Sequence, residues 1–416
     1  MEEKKKINEE PSLPTSLPKG ERGFGNLRVA LLHDFLLYPG GAERVLKVLA
    51  EMFPRAPIFT LLYDEEKMAE MFAGKDIRPS YLQKLPKFFR KHYQWLLPFF
   101  PVAAETIDLR EFDLVISSSG AWMKGIVTKM DTLHIAYIHS PMRFIWDMND
   151  RYIQEVKQKK FSFLARVAFS YLRIWDRLAA ERPDFLLANS VYTQKRIAKY
   201  YRREATVVYP PVNNNFEFRI SNFESNQNEK KSKIKSLEIN SKFKIQNSKF
   251  FLVVSRLSPY KKVDIVVQAF NKLKLPLVVI GQGQQEKYLR KIAKDNVQIL
   301  GWQSDEVISQ YYQNARGFVF SSEDDFGLTA VEAMNAGVAV IAYREGGALE
   351  TVIEGVTGEF FDAQTPEVLA DGVRRFLDNE KKYDKEVIRK RGREFSRERF
   401  EKEIRKVIEN VLSVEN

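Results

Sequence analysis

The chain has 416 residues, 44% of them hydrophobic, a length that suits two domains of ordinary size better than one core. With no cysteine and four histidines, a disulfide framework and a thiolate metal site are excluded and a histidine-rich metal site is not expected. The net charge of +11, from 66 basic and 55 acidic residues, points to nucleic acid, an anionic membrane surface or a phosphorylated substrate. No segment has the pattern of an RNA or DNA module, so no nucleic-acid partner is expected.

Residues 1–26 are charged and proline-rich without periodicity, and are expected to form a flexible extension. They hold no apolar signal core, and no apolar run in the chain reaches the length of a membrane span, so the expected location is the cytoplasm. Leu27–Leu32 reads as a buried first strand closed by His33-Asp34, and Pro39-Gly40-Gly41 leads into a helix over Ala42–Met52. Gly40 and Gly41 would let the backbone approach a phosphate or sugar, or make a plain tight turn. Further strands are predicted at Ile58–Leu62, Asp113–Ser117, His134–Ile138, Phe185–Ala188 and Ala205–Tyr209, with helical patterns between several of them. That alternation predicts a Rossmann-like half, ended by Pro210-Pro211. Within it, Lys84–Pro101 mixes basic and aromatic residues; it either lies in a membrane interface or packs helices on the sheet, and its prolines argue against one long interfacial helix. His139 follows a strand, at the carboxyl end of a sheet where open α/β folds bind ligands.

Asn213–Lys249 is rich in Asn, Ser and Lys and reads as a low-complexity insertion at an interdomain linker. A second Rossmann-like half begins with the strand Phe250–Val254, and Arg256 and Lys261 follow it directly. Two cations after a strand can clamp a diphosphate, the arginine by paired hydrogen bonds and the lysine as a point charge; solvated surface charge is the other reading. Helix Val263–Leu273, the strand and glycine turn Leu277–Gly283, and strands Val297–Gly301 and Phe318–Phe320 come next. Asp324 and Glu332 then stand with seven residues between them, separated by a turn at Phe326-Gly327-Leu328 and a short apolar helix that Gly337 stops. Val338–Ala342 reads as a buried strand and Gly346-Gly347 as a further loop. An aspartate ahead of a helix sits beside backbone N–H groups without intrahelical partners, where the helix dipole also favours an anion such as a diphosphate. Glu332, about one turn on, can accept from two neighbouring hydroxyls such as a ribose offers. Thr329-Ala330-Val331-Glu332 also matches a capping box, which would leave Glu332 tying the helix start. After Glu367 the chain reads as helical, with a charged amphipathic helix over Arg397–Leu412.

The stretch from Asp324 to Gly337 resembles the E-x7-E signature of the retaining GT-B glycosyltransferases of family 4, with Phe326, Gly327, Leu328, Glu332, Ala333, Met334 and Gly337 in register. The first acid in register is Asp324 where the family has Glu, and Glu323 sits one residue early, so either fills that role. Gly40-Gly41-Ala42-Glu43 resembles the family's N-domain glycine loop, and His139 matches the histidine thought to face the donor sugar. Residues 139–147 (HSPMRFIWD) resemble the subgroup that transfers mannose in polysaccharide and O-antigen assembly. Arg256 and Lys261 are in register with R-L-x-x-x-K-G, which binds the donor's phosphates; Lys262 replaces the usual glycine.

The resemblance implies an α/β GT-B fold: an N-terminal Rossmann-like acceptor domain over 27–212 faces a donor-binding one over 250–395 across a cleft, and a helix within 396–416 crosses back. It implies a retaining, metal-independent hexosyltransferase of cell-surface polysaccharide synthesis, with GDP-mannose as first donor and a glycan or polyprenyl-linked acceptor. Asp324 would hold the sugar hydroxyls, Glu332 the ribose and His139 the sugar from the opposite wall; Gly40, Gly41, Arg256, Lys261, Phe326, Gly327 and Leu328 would bind the donor. Backbone around Gly301-Trp302-Gln303 would meet the base. Peripheral contact with the inner membrane surface is a further expectation. The alternatives are a UDP-sugar-dependent transferase, a nucleotide-sugar epimerase of the same fold, and a catalytically degenerate scaffold subunit prompted by Asp324.

Overall fold

The computed structural model describes residues 27–147, 159–212 and 249–414. The expected N-terminal extension, and the insertion at 213–249 apart from Lys249, lie outside the described residues. The chain divides into two compact units: one runs to Leu187 and takes in Arg196–Thr206 and the segment from Glu401, the other comprises Ala188–Lys195 and Val207–Phe400. The last helix, Arg397–Val414, thus begins with the second unit and continues in the first.

The first unit is built on a seven-stranded sheet of β1 (Val29–Leu36), β2 (Ile58–Tyr63), β3 (Ile77–Pro79), β4 (Leu114–Ser119), β5 (Leu133–Ile138), β6 (Phe185–Ala188) and β7 (Thr206–Val207), in the order β3-β2-β1-β4-β5-β6-β7. β1 pairs in parallel with β2 and β4, β2 with β3, and β4 with β5. Every residue of β4 and β5 is buried, as expected of parallel strands covered on both faces. β1 runs four residues past the expected end at Leu32, and His33-Asp34 lie inside it rather than closing it. The polar pair is tolerated there because both side chains are satisfied. The Asp34 carboxylate accepts from Ser119 Oγ at 3.0 Å and from the backbone N–H groups of Gly120, Ala121, Trp122 and Met123 at 2.7–2.8 Å. β3, which sequence patterning misses, has three residues and ends in Pro79, a residue that edge strands accommodate.

The Lys84–Pro101 stretch breaks into short helical pieces at Lys87–Lys91, Tyr93–Phe99 and Phe100–Glu105. Leu96 and Phe100 pack into the core with Phe59, Val115 and Trp122, whereas Phe88, Trp95 and Phe99 are 54–60% exposed. The packing reading thus holds for Leu96 and Phe100, and the other three rings stay exposed. No helix among the described residues is long and apolar enough to cross a membrane.

The second unit carries a six-stranded parallel sheet of β8 (Phe250–Val254), β9 (Leu277–Ile280), β10 (Val297–Gly301), β11 (Ala315–Phe320), β12 (Val340–Tyr343) and β13 (Gly358–Phe361), in the order β10-β9-β8-β11-β12-β13. Its core centres on Phe251, whose ring meets those of Phe270 at 5.1 Å and Phe376 at 5.6 Å. Each such phenylalanine contributes about 1.5–3 kcal/mol by leaving water. In both sheets the strand order reverses beside the first strand, between β1 and β4 and between β8 and β11. Such a switch point leaves a crevice at the carboxyl ends of the strands, the usual ligand site of open α/β sheets.

Candidate active site

In the second unit, the loop after β8 is laid directly on the turn after β9. Ser255 N–H donates to the Ile280 carbonyl at 3.0 Å and Leu257 N–H to that of Gln282 at 2.9 Å. A Cβ on Gly281 would stand 1.8 Å from the Ser255 carbonyl oxygen, and one on Gly283 2.6 Å from that of Leu257. Both glycines also have φ in the left-handed half of the map, at +139° and +157°, so two separate constraints select glycine. The supported loop presents Arg256, exposed and donating to the Tyr260 hydroxyl at 2.9 Å, and Lys261, whose ammonium pairs with the Asp324 carboxylate. Ser321 Oγ donates to the Lys261 carbonyl at 2.8 Å and ties the loop to the end of β11.

The loop after β12 braces Asp324 from the other side. Gly347 N–H donates to the Asp324 carbonyl at 2.9 Å, and a Cβ on Gly346 or Gly347 would stand 2.4 Å from the Asp324 carbonyl oxygen or the Phe326 Cα. Gly346-Gly347 is therefore a backbone-packing pair. Gly327, at φ +92°, is the N-cap of helix Leu328–Asn335, and no side chain caps that helix. The capping box does not form: Thr329 already lies inside the helix, and Glu332 instead accepts from the Tyr312 hydroxyl at 3.0 Å. Phe326 is buried between Tyr209 and Phe395, and Leu328 packs on the same core, so these two hold the turn. Glu323 accepts from the Tyr192 hydroxyl of the same unit, which leaves Asp324 as the acid joined to the lysine. Gly301, at φ +75°, accepts from Gly281 N–H at 2.8 Å, and Trp302 beside it is exposed.

In the first unit His139 stands at the carboxyl end of β5, with its Nε2 2.7 Å from Ser118 Oγ and its backbone N–H on the Ser119 carbonyl at 2.9 Å. Sequence reasoning misses the groups around it. His33 Nδ1 lies 3.2 Å from the same Ser118 Oγ, and His33 Nε2 lies 3.5 Å from Glu43 Oε1. Burial would lower the His33 pKa, but the hydrogen bond and charge of Glu43, with Asp34 and the Ser118 carbonyl, more than offset it and the pKa is raised. Burial likewise works to raise that of Glu43, and His33 turns the net shift downward. The available signal is Glu43 itself, in the first turn of helix Gly41–Met52. Gly40 is that helix's N-cap and Gly41 its first residue; a Cβ on Gly40 would meet Glu43 Oε2 at 2.6 Å, so the glycine makes room for the carboxylate.

The HSPMRFIWD stretch is largely committed to packing. Ser140 accepts from Arg196 at 2.6 Å, Asp147 pairs with Arg196 and accepts from Tyr200, and the Trp146 ring stacks on Tyr200 at 4.7 Å. The Trp146 N–H donates at 2.7 Å to Asp176, which is fully buried and pairs with the equally buried Lys124 at 2.5 Å.

Residues 39–216 match the family described as Glycosyltransferase Family 4, and residues 235–395 match Glycosyl transferases group 1. A glycosyltransferase family model thus matches each of two successive stretches of the chain. An uncharacterized glycosyltransferase of Methanocaldococcus jannaschii is 23% identical over 89% of this chain and 93% of its own. An alpha-1,3/1,6-mannosyltransferase of Dictyostelium discoideum is 25% identical over 80% and 85%. Among solved structures, sucrose-phosphate synthase from Thermosynechococcus elongatus superposes with a TM-score of 0.65 at 16% identity, over 93% of this chain and 99% of its own. Anabaena HepE in complex with UDP does so with 0.64 at 17%, over 92% and 100%. These likenesses identify the α/β fold as GT-B.

Proposed function

We propose that the protein is a retaining hexosyltransferase that takes its sugar from a nucleotide-sugar donor held mainly by the second unit. The observation that carries this reading is the convergence of Arg256, the Lys261–Asp324 pair and the uncapped turn at Gly327 at the switch point between β8 and β11. As the bond from sugar to phosphate breaks, negative charge grows on the departing diphosphate. Arg256, Lys261 and the helix start at Leu328 would stabilise it there by preorganised charge and N–H groups, and the reaction is expected to proceed without added metal. When donor binds, Lys261 would exchange part of its contact with Asp324 for phosphate oxygen and free the carboxylate for sugar hydroxyls; Glu332 would take the ribose and His139 the sugar.

GDP-mannose is the first donor we propose. Its support is the alpha-1,3/1,6-mannosyltransferase relative and a GDP-mannose-dependent mannosyltransferase of Mycobacterium tuberculosis, 26% identical over 48% of this chain and 54% of its own. A UDP-hexose is the second reading, favoured by the UDP complex of Anabaena HepE. Isothermal titration against GDP-mannose, GDP, UDP-glucose and UDP-N-acetylglucosamine in the presence of EDTA separates them. Selective GDP binding, weakened roughly tenfold or more by Arg256→Ala, is expected from loss of a charged hydrogen bond. Preference for UDP would discard mannose; no nucleotide binding would leave a degenerate scaffold.

The proposed acceptor is a glycan or polyprenyl-linked sugar at the inner face of a membrane. Exposed Phe88, Trp95 and Phe99 stand among Lys84, Lys87, Arg90 and Lys91, and residues 77–104 contain no acid. Aromatic rings with adjacent cations suit an anionic bilayer interface. Sedimentation with anionic liposomes is expected, reduced by salt and by Trp95→Ala; absence of binding at every salt concentration would end this part of the proposal.

A further inference from the structure

Helix Lys159–Ala179 of the first unit carries apolar side chains on two opposite faces. On the inner face Leu172, Trp175 and Ala179 lie in the core with Trp122 and Ile145. On the outer face Val167, Tyr171, Ile174 and Leu178 are 53, 67, 61 and 51% exposed. Their spacing sets all four within about 60° of the helix circumference, in a stripe roughly 16 Å long. Single exposed apolar residues are ordinary, but four large ones in one row mark a surface that meets something apolar.

Charge decides what that is. The helix has the cations Lys159, Lys160, Arg166, Arg173 and Arg177, and Asp176 as its one acid. Asp176 is fully buried and paired with Lys124, so it offers no charge to the outside. Arg166 and Arg177 are exposed on one flank of the stripe, and Glu181, beyond the helix end, lies 3.9 Å from Arg177. The spacing of the stripe also suits a coiled-coil seam, but a second copy would bring the same cations and no acid of the helix to meet them. An anionic lipid surface supplies both missing parts: an apolar layer for the stripe and negative head groups for the arginines. The stripe also leads toward the aromatic patch of the same unit. Trp175, at its edge, donates to Glu105 at 2.9 Å, and Glu105 ends the short helix Phe100–Glu105. Val102 of that helix is 51% exposed, and the exposed Phe99 precedes it directly.

We propose that the outer face of helix Lys159–Ala179 docks on an anionic bilayer, with the helix lying along the surface. This rests on the reading of a membrane-bound acceptor and extends it to a helix that supports the site. On the inner side Arg173 donates to the Ile145 carbonyl at 3.0 Å, Asp176 accepts from the Trp146 N–H at 2.7 Å, and the Phe169 and Phe144 rings lie 5.9 Å apart. These contacts hold the short helix Arg143–Trp146, which follows His139 closely in the chain. A helix is about 10–12 Å across with its side chains, so docking sets Arg143–Trp146 roughly one helix diameter from the head groups. The acceptor that suits this placement is a sugar close to its lipid anchor.

The chain has no cysteine, so Ile174→Cys takes an environment-sensitive fluorophore at the stripe alone. The side chain replaced is exposed, and an unchanged urea midpoint checks the fold. With vesicles of equimolar phosphatidylcholine and phosphatidylglycerol, emission from the labelled full chain should shift to the blue. The same label at the exposed position of Lys381→Cys, in the second unit, should not respond. In unlabelled protein, Ile174→Glu should weaken binding to those vesicles roughly tenfold or more in sedimentation. Vesicles of phosphatidylcholine alone should bind less than the anionic ones. Sedimentation lost in Trp95→Ala but kept in Ile174→Glu, with no blue shift at position 174, would overturn the docking of this helix and leave the aromatic patch as the membrane contact. No sedimentation of the wild type would overturn both. A blue shift without vesicles that grows with protein concentration, beside a dimer mass in light scattering, would show a second copy on the stripe and overturn the bilayer as its partner.

Discussion

Within β1 a buried histidine meets a glutamate at 3.5 Å, and on the loop after β8 a lysine meets an aspartate with both side chains 15–17% exposed. The two places are topologically equivalent, each beside the switch point of its sheet. In the first unit the charge is set among buried groups: His33, Asp34 and Ser118 lie inside strands, and Glu43 and Asp34 raise the His33 pKa against its burial. In the second unit the charged side chains are on loops, and position is decided by the backbone beneath them, where Gly281, Gly283, Gly346 and Gly347 each let one main chain touch another. One site is therefore sensitive to pH, the other to the addition of single methyl groups. A buried histidine–glutamate pair and a part-buried lysine–aspartate pair need different scaffolds, and the same fold supplies both.

Gly281→Ala is expected to have the largest effect. The new methyl would collide with the Ser255 carbonyl oxygen at 1.8 Å in a backbone conformation that L residues avoid, at a cost of about 3 kcal/mol in urea denaturation. It would also displace the loop carrying Arg256 and weaken nucleotide binding. Gly355→Ala is the control: Gly355 has φ +73°, but a methyl added there would find no atom within 4 Å, so only backbone strain of about 1 kcal/mol is expected. Equal losses in the two variants would show that crowding does not hold the clamp in place.

The pH dependence of the first unit comes next in size. His134, in β5, is fully buried with Nε2 2.8 Å from Ser117 Oγ, and burial, then the charge of Arg203, pushes its pKa down to about 3. Unfolded, it binds a proton near the ordinary pKa of about 6.5, so between those values the unfolded state holds more protons and stability rises with pH. Stability is thus present above about pH 6.5 and is lost as pH falls, by up to roughly 1.4 kcal/mol per unit. His33 has the opposite sign: its raised pKa makes its contribution complete below the ordinary value and lost as pH rises through the folded one. Between about pH 5 and 6.5, wild-type stability should fall by about 2 kcal/mol on acidification, and His134→Gln, which keeps an amide for Ser117, should remove most of that slope. Tryptophan fluorescence follows this unit selectively, since Trp95, Trp122, Trp146 and Trp175 lie in it and only Trp302 does not. A slope unchanged by His134→Gln would place the acid sensitivity elsewhere.

The same contrast explains what the sequence discloses. Strands buried on both faces announce themselves as apolar runs, so β4, β5, β8 and β9 are legible; β3, with three residues at an edge, and β13 are not. Lys261 and Asp324 are legible as candidate ligand residues because the spacing of the second unit's motif is local. Their pairing is not, since 63 residues separate them and only the register of β8 beside β11 brings them together. The surroundings of His33 are harder still. His33 reads as a strand terminator because polar residues usually are, and its neutralising partners come from a helix and from a strand 85 residues away. HSPMRFIWD reads as a guide to the sugar, but Ser140, Trp146 and Asp147 are occupied with Arg196, Tyr200 and Asp176. A motif can be legible as text while the work of its side chains is packing.

The smallest predicted effect tests whether backbone conformation and charge can be separated in the clamp. Lys262 stands at φ +55°, the left-handed conformation that glycine adopts without strain, and it precedes helix Val263–Leu273 directly. Lys274, at φ +57°, closes the same helix at its far end. Replacing either by glycine relieves roughly 1–2 kcal/mol of side-chain strain and returns part of it through the greater freedom of the unfolded chain, for a net gain of about 0.5–1 kcal/mol. The two substitutions should therefore match in stability and differ in binding. Lys262→Gly removes a cation next to Lys261 and should weaken nucleoside diphosphate affinity slightly, in a manner that high salt abolishes, whereas Lys274→Gly should leave affinity unchanged. Equal affinity in both variants would mean that Lys262 is present for neither charge nor conformation, and that the clamp consists of Arg256 and Lys261 alone.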